Sequence, residues 1–345
     1  KRAMKRRSQL SIALPMTLLV LVACSSSNNS TQSQRKNSEV EKVVLVHPLS
    51  GRNAESGKVL VVKVDDTEPA HPQIGLKDAD VIYVEQVEGG LTRLAAVFSS
   101  ALPVAIGPVR SARISDIDIF AAYGKVAFAY SGAQHKLLPV IGEANMVNLG
   151  AQRMSARYYS RDKNRDAPVN LILDPRLLMQ DHGQDATSAI SVGWNFGSNS
   201  VKTETATVVE AHWPASWYRA TWSSGENRWL LEHDGDPDVD ASGYVLGPTT
   251  LIVQLVDIHP SEYFDKGGGN TPKSETVGTG SALIFQNGSV YRALWDRPSL
   301  QSPTRFRLDP GVYGKDEEIK MAPGQVWVWL VDRNRPPKLN PETSG

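Results

Sequence analysis

The sequence predicts an α+β protein: an N-terminal mixed sheet with helices, a layered ββα-type sandwich, followed by a mostly antiparallel β domain. Three observations carry this. Between residues 59 and 182, apolar runs of strand length alternate with short helical patterns. Residues 183–200 then turn polar and rich in glycine and serine, which marks a boundary. Beyond it the periodic segments are nearly all strand-like, and all eight tryptophans lie past residue 190. The expected organisation is a signal segment over 1–23, a tether over 24–45, an α+β domain over 46–185, a β domain over 200–335 and a tail over 336–345.

The elements follow in order. Val59 to Val64 is a valine-rich strand ending at Asp65-Asp66, and Pro69 and Pro72 turn the chain. Val81 to Val84 begins a second strand that runs into Gly89-Gly90, and Leu91 to Ser99 is its hairpin partner. Gly107 to Arg113 is a loop. Ser115 with Asp118 three residues on is a capping-box variant, which predicts a helix over 116–123. Val126 to Tyr130 is a strand, and residues 134–142 and 175–182 carry helical patterns. In the second half, Asn287-Gly288 between two apolar runs signals a hairpin. Residues 260–280 form a glycine-rich excursion expected to be a mobile loop. The tryptophans read as core filling, with an exposed sugar-stacking face as the alternative. Trp327 and Trp329 fall on one side of their strand by the two-residue period.

The first residues have a different character. Lys1, Arg2, Lys5, Arg6 and Arg7 precede an apolar run from Leu10 to Val22 that ends at Cys24, the one cysteine of the chain. A basic start, a short apolar stretch and a small residue before the cut describe a secretory signal, and the run is too short to span a bilayer. The Leu21-x-Ala23-Cys24 end resembles the lipobox of bacterial lipoproteins. That resemblance implies a Cys24 thiol alkylated with diacylglycerol, and a chain fixed by its lipid to the extracytoplasmic face of the cell membrane. Residues 25–39 are mostly Ser, Asn, Thr and Gln and cannot bury apolar area, which suits a tether. With 37 basic and 37 acidic residues the net charge is zero, so no global field draws the chain to nucleic acid.

A series of segments carries a wider resemblance. Asp65, Pro69-x-His71-Pro72-Gln73-x-Gly75-Leu76, Ala79-Asp80-Val81 and Val87-Glu88-Gly89-Gly90-Leu91-Thr92-Arg93 come first. Gly107-Pro108-Val109-Arg110-Ser111-Ala112-Arg113, Arg161-Asp162-Lys163, Ala167-Pro168-x-Asn170 and Pro323-Gly324-Gln325-Val326-Trp327 follow. Together they are similar to the YerB-like lipoprotein family, over nearly all of residues 59–332. The resemblance implies two α+β domains exported as a lipoprotein and brings no established activity with it. The chain departs from the family pattern at His71 where relatives often show arginine, at Asp66 where they show asparagine and at Val169 where they show histidine, and Glu85, the first glutamate of the second strand, is displaced by one position.

Candidate site residues cluster before the predicted helix start. Arg110 and Arg113, with Ser111 between, combine bidentate forks with the unpaired N–H groups of a helix start, a combination suited to an anion. Pairing with Glu85, Glu88 or Asp116 is the competing structural role. Glu88 and Arg93 flank Gly89-Gly90, where the backbone can approach a ligand closely. Arg161, and Asn170 by the resemblance, extend a cationic lining, while Asp65 ends the first strand. The histidines show no metal-ligand spacing, so no metal and no cofactor are expected. The expected function is envelope binding or scaffolding, recognising an anionic cell-wall group or a protein partner. The alternatives are a glycan- or peptide-modifying hydrolase using Glu88 or Asp65, and an accessory subunit of a membrane complex.

Overall fold

A computed structural model describes residues 45–341. Its first half contains β1 (Leu60–Asp65), β2 (Val81–Gln86), β3 (Thr92–Phe98), α1 (Ser115–Phe120), β4 (Val126–Ala129), α2 (Leu137–Glu143), β5 (Met146–Asn148), β6 (Tyr159–Arg161), β7 (Leu171–Leu173) and α3 (Pro175–His182). The second half adds β8 (Val208–Trp213), β9 (Ser216–Ser223), β10 (Arg228–His233), β11 (Thr250–Val256), β12 (Ile258–Phe264), β13 (Asn270–Ser274), β14 (Gly278–Gln286), β15 (Ser289–Arg297), β16 (Arg305–Leu308), α4 (Pro310–Tyr313) and β17 (Val326–Asp332).

Both halves contribute to one large sheet, in the order β16-β15-β14-β11-β17-β2-β3-β1-β4-β5. The seam is β17, which runs parallel to β11 on one side and to β2 on the other. Its sequence Val-Trp-Val-Trp-Leu-Val is apolar at every position because both faces of the strand are covered. Trp327 and Trp329 point to one face and Val328 and Leu330 to the other. On the Trp face lies a second sheet, β10-β9-β8, whose Trp213 Nε1 donates to Leu330 O across 3.0 Å. Helices α1 and α2 cover the opposite face through Ile119, Phe120, Leu137 and Ile141. The result is the mixed N-terminal sheet and largely antiparallel C-terminal strand region that the sequence predicts.

Local details correct several expectations. Helix α1 starts one residue early and spans six residues before a 3-10 turn at Ala121–Tyr123. Ser115 does not cap it. Its hydroxyl instead accepts from Ser274 N at 3.0 Å, and Asp116 Oδ2 accepts from Arg113 N at 2.7 Å. The glycine-rich segment expected to be mobile contains the β12/β13 hairpin, seated on α1 by the 2.9 Å Lys273–Asp118 ion pair. Alternation in β-branched and small residues missed it because Pro260, Pro272 and the glycines dilute the strand signal. Helix α3 keeps its predicted bounds, with Pro175 at its first turn and Asp174 accepting from Leu177 N at 2.9 Å. Six tryptophans (Trp194, Trp213, Trp229, Trp295, Trp327 and Trp329) are buried, which fills the core and leaves no row of exposed rings on β17.

Candidate functional site

The C-terminal end of β1 presents two consecutive carboxylates to opposite faces of the large sheet. Lys63 and Asp65 face the helices, in step with Val59 and Val61, while Val62 and Val64 face the second sheet. Asp66, just past the strand, turns to the second-sheet side and bonds with Tyr218 and Thr92. Each carboxylate organises its own polar cluster.

On the helix face the sequence-predicted residues converge. Arg110 pairs with Asp65, whose other oxygen accepts from Thr67 N (2.9 Å) and the Thr67 hydroxyl (2.8 Å). Arg113 donates Nε and Nη2 to Glu88 Oε2 at 2.9 and 2.6 Å, and the hairpin residue Thr271 donates to Glu88 Oε1. Gly89 and Gly90 hold positive φ (69° and 77°) in the turn that delivers Glu88. Arg93 is buried between these pairs and donates to Ser111 O at 3.2 Å. Burial and the neighbouring Arg113 lower its pKa to about 10. Below it, Lys63, fully buried, bonds Glu85 and lies 2.9 Å from Asp116. Burial raises the Glu85 pKa despite the ammonium beside it. Burial also opposes the charge on Glu88, yet the Arg113 guanidinium and its hydrogen bonds hold that pKa below the ordinary value. Four cations thus face four carboxylates, and each of Arg110 and Arg113 is already engaged. Arg161 stands apart on β6 and donates to Asn170 Oδ1 at 2.6 Å. Cys24 lies outside the described residues.

On the opposite face is a group that local spacing in the sequence did not reveal. Asp66 is buried and accepts from the Tyr218 hydroxyl (2.8 Å), the Thr92 hydroxyl and Gln73 Nε2 (3.1 Å). His71 Nε2 lies 3.6 Å from Asp66 Oδ1, and His233 Nε2 lies 3.6 Å from Asp66 Oδ2. The two imidazoles stack with centroids 4.8 Å apart and planes 9° apart. His71 Nδ1 lies 3.5 Å from Oδ1 of Asp238, a carboxylate that is 1% exposed and whose two oxygens have no hydrogen-bond partner. Burial alone would depress the His71 pKa, but contact with Asp238 and Asp66 raises it to about 10. Burial pushes the Asp238 pKa up. Burial opposes the charge on Asp66 as well, and the histidines with its hydrogen bonds still hold its pKa low.

The surrounding chain is built to hold this group. Arg165 donates to Ala70 O (2.8 Å) and Pro72 O (2.5 Å), fixing the turn that carries His71 from both sides. Ser216 Oγ lies 2.9 Å from His233 Nε2. An open cavity of about 750 Å³ lies over the histidines, with Glu68, Asp234, Asp236 and Asp240 among its lining residues. Its wall is therefore acidic, and it is the largest of the cavities characterised among the described residues. A third grouping, His47, Asp80 and Ser99, has triad-like members but no access. Ser99 Oγ donates to Gly57 O at 2.7 Å, and all three side chains are buried.

This architecture has counterparts. The family described as "Protein of unknown function (DUF3048)" matches in two parts, its N-terminal domain over residues 48–188 and its C-terminal domain over residues 208–328. The chain belongs to this family. It is 33% identical over 346 residues to a Bacillus subtilis (strain 168) protein described as "Putative lipoprotein YerB", covering 92% of this chain and 93% of that one. A crystal structure of YerB protein from Bacillus subtilis superposes with a TM-score of 0.71, at 20% identity, covering 86% of this chain and all of that one. The fold is thus shared with YerB. Among the described residues no helix is long and apolar enough to cross a membrane.

Proposed function

We propose that the protein is lipid-anchored through Cys24 on the extracytoplasmic face and acts as a binding protein of the cell envelope, taking a cationic group into the cavity around His71 and His233. One observation carries the choice of ligand charge. The open cavity is walled by carboxylates, with the buried pair Asp66 and Asp238 beneath, so its field favours a cation. The reading in which Arg93, Arg110 and Arg113 hold an anionic wall group is less well supported, because Asp65 and Glu88 already occupy Arg110 and Arg113. The same ion pairs remove Glu88 and Asp65 from the position of free acid or base that a hydrolase would need.

The two charge readings separate experimentally. Purified protein is titrated calorimetrically with amine-bearing wall peptide and, separately, with phosphate-bearing wall polymer. Loss of peptide binding in the exposed rim variant Glu68→Gln/Asp236→Asn, with binding retained in Arg110→Ala/Arg113→Ala, supports the acidic cavity. The reverse pattern, on the polymer, restores the arginine loop as the ligand site. Mass spectrometry of the protein from its native membrane checks the anchor, since an unmodified Cys24 thiol with the leader attached rejects it.

A further inference from the structure

At the floor of the cavity two buried carboxylates are faced by imidazoles rather than by lysine or arginine. Asp66 and Asp238 are 2% and 1% exposed, with no lysine or arginine among the described residues ion-paired to either. A buried carboxylate is costly without a close cation and donors, and Asp238 has only the His71 imidazole, 3.5 Å away, beside it. What faces this pair is imidazole from two directions.

The spacings indicate what completes the site. One ligand atom each from Asp66, His71 and His233 fits within a 4.8 Å sphere of mutual distances. The two carboxylate–imidazole contacts, both 3.6 Å, are too long for hydrogen bonds. They run to different oxygens of Asp66, Oδ1 and Oδ2. Each is close to the edge of a coordination tetrahedron, about 3.3–3.4 Å for metal–ligand bonds of about 2.0–2.1 Å, so the carboxylate must turn to present one oxygen to both imidazoles. We infer that Asp66, His71 and His233 form a site for a divalent transition metal of the zinc class, with the fourth position open to the cavity. The inference rests on the proposed cation-binding cavity and names its ligand class.

The outer contacts match this role. Tyr218, Thr92 and Gln73 donate to Asp66 and orient it. Asp238 stands behind His71 on its Nδ1 side, so an Nδ1–H directed at Asp238 leaves the Nε2 lone pair for the ion once Gln73 Nε2, 3.2 Å from it, keeps only its bond to Asp66. A doubly charged cation also balances Asp66 and Asp238 when His71 serves as a neutral ligand. The nearly parallel rings require one imidazole to rotate so that both lone pairs converge. His71 has the freedom to do this, because its side chain is 20% exposed at the cavity rim. The Ser216 hydroxyl must turn from His233 Nε2, and Thr92 Oγ1 at 3.2 Å offers it another partner. Two histidines and a carboxylate with one open position is also a donor set that can activate a bound water.

The test uses the whole purified chain, stripped of metal by chelator and titrated with Zn²⁺, then with Co²⁺ as a spectroscopic probe. Expected are one equivalent of Zn²⁺ per chain and the intense visible bands of a four-coordinate Co²⁺ ion. His71→Ala and His233→Ala should lose that equivalent, while His259→Ala, at an exposed histidine in the β12 strand, should keep it. Asp238→Asn should keep the stoichiometry and weaken affinity by about 10–100-fold, the effect of removing an outer-shell partner. Should either histidine variant fail to fold, the Asp238→Asn affinity and the Co²⁺ spectrum decide. Folded wild-type protein that takes up no metal overturns the inference, as does uptake that is indifferent to His71, His233 and Asp238. If metal fails to bind but amine-bearing peptide still does, the metal site falls and the cation-binding cavity stands. If neither binds, both fall.

Discussion

The two polar clusters at the end of β1 begin at adjacent residues and have opposite character. Asp65 opens onto a group of four cations and four carboxylates in which Lys63 lies between Glu85 and Asp116, Arg110 pairs with Asp65, Arg113 pairs with Glu88, and the β12/β13 hairpin is bonded to Glu88. Asp66 opens onto a group with two buried carboxylates, two imidazoles, an unbonded Asp238 and an open cavity. A balanced buried network fixes geometry, because removing any member strands another. An unbalanced group beside a cavity is, on the proposed reading, one that a ligand from solution completes. The contrast assigns architecture to the Asp65 side and ligand binding to the Asp66 side.

The largest expected effect tests the balanced side. Lys63→Met removes the ammonium between Glu85 and Asp116, all three side chains being fully buried. Two stranded carboxylates should cost about 3–5 kcal/mol of stability, read as a lowered urea midpoint at neutral pH. A loss no greater than the about 0.5 kcal/mol of an ordinary surface change would break the contrast at its firmer end.

A matched pair of substitutions sharpens it next. Asp116→Asn breaks the contact with Lys63 and weakens the bond from Arg113 N, and should destabilise by about 1–3 kcal/mol. Asp238→Asn, chemically the same change, removes a charge whose one close partner is the His71 imidazole at 3.5 Å, and relieves repulsion with Asp66. In metal-free protein it should be neutral or stabilising, by less than about 1 kcal/mol. The sign difference between the two melting shifts is the measurement, and equal destabilisation by both would erase the distinction.

How far each cluster could be read from the sequence follows from how it is assembled. Glu88, Arg93, Arg110, Ser111 and Arg113 lie in a window of 26 residues, on loops flanking predicted strands or, for Arg93, near the start of one, so their meeting was legible. Their mutual neutralisation was visible as an option and needed coordinates to decide, since it depends on side-chain reach across β1, β2 and α1. His71 and His233 are separated by 162 positions and meet because β10 packs over the end of β1, a contact that local periodicity cannot show. The one sequence signal was the departure from the family pattern at Asp66 and His71, two of the three members of the cluster. For the fold, β17 was recognisable as a strand and its two tryptophans as sharing a face. Its insertion beside β2 was not, because a strand apolar on both faces is compatible with any interior position in a sheet.

The smallest expected effect concerns the acid response of the balanced side. Glu88 is held below its ordinary pKa of 4.5: burial opposes its charge, and Arg113 with the donated hydrogen bonds outweighs burial. A carboxyl with a depressed folded pKa binds protons more readily when unfolded, so stability rises with pH across that window. Its contribution is complete above the unfolded value and lost as pH falls through the folded one. In Glu88→Gln that contribution is absent at every pH. Wild-type protein should therefore lose urea resistance more steeply than the variant as pH falls from about 6 to about 3, while the other carboxylates, common to both chains, cancel in the difference. A wild-type-minus-variant stability that stays flat over this range would mean that the Arg113 pair does not hold Glu88 charged, and the helix-face cluster would lose one of the four ion pairs on which its structural role rests.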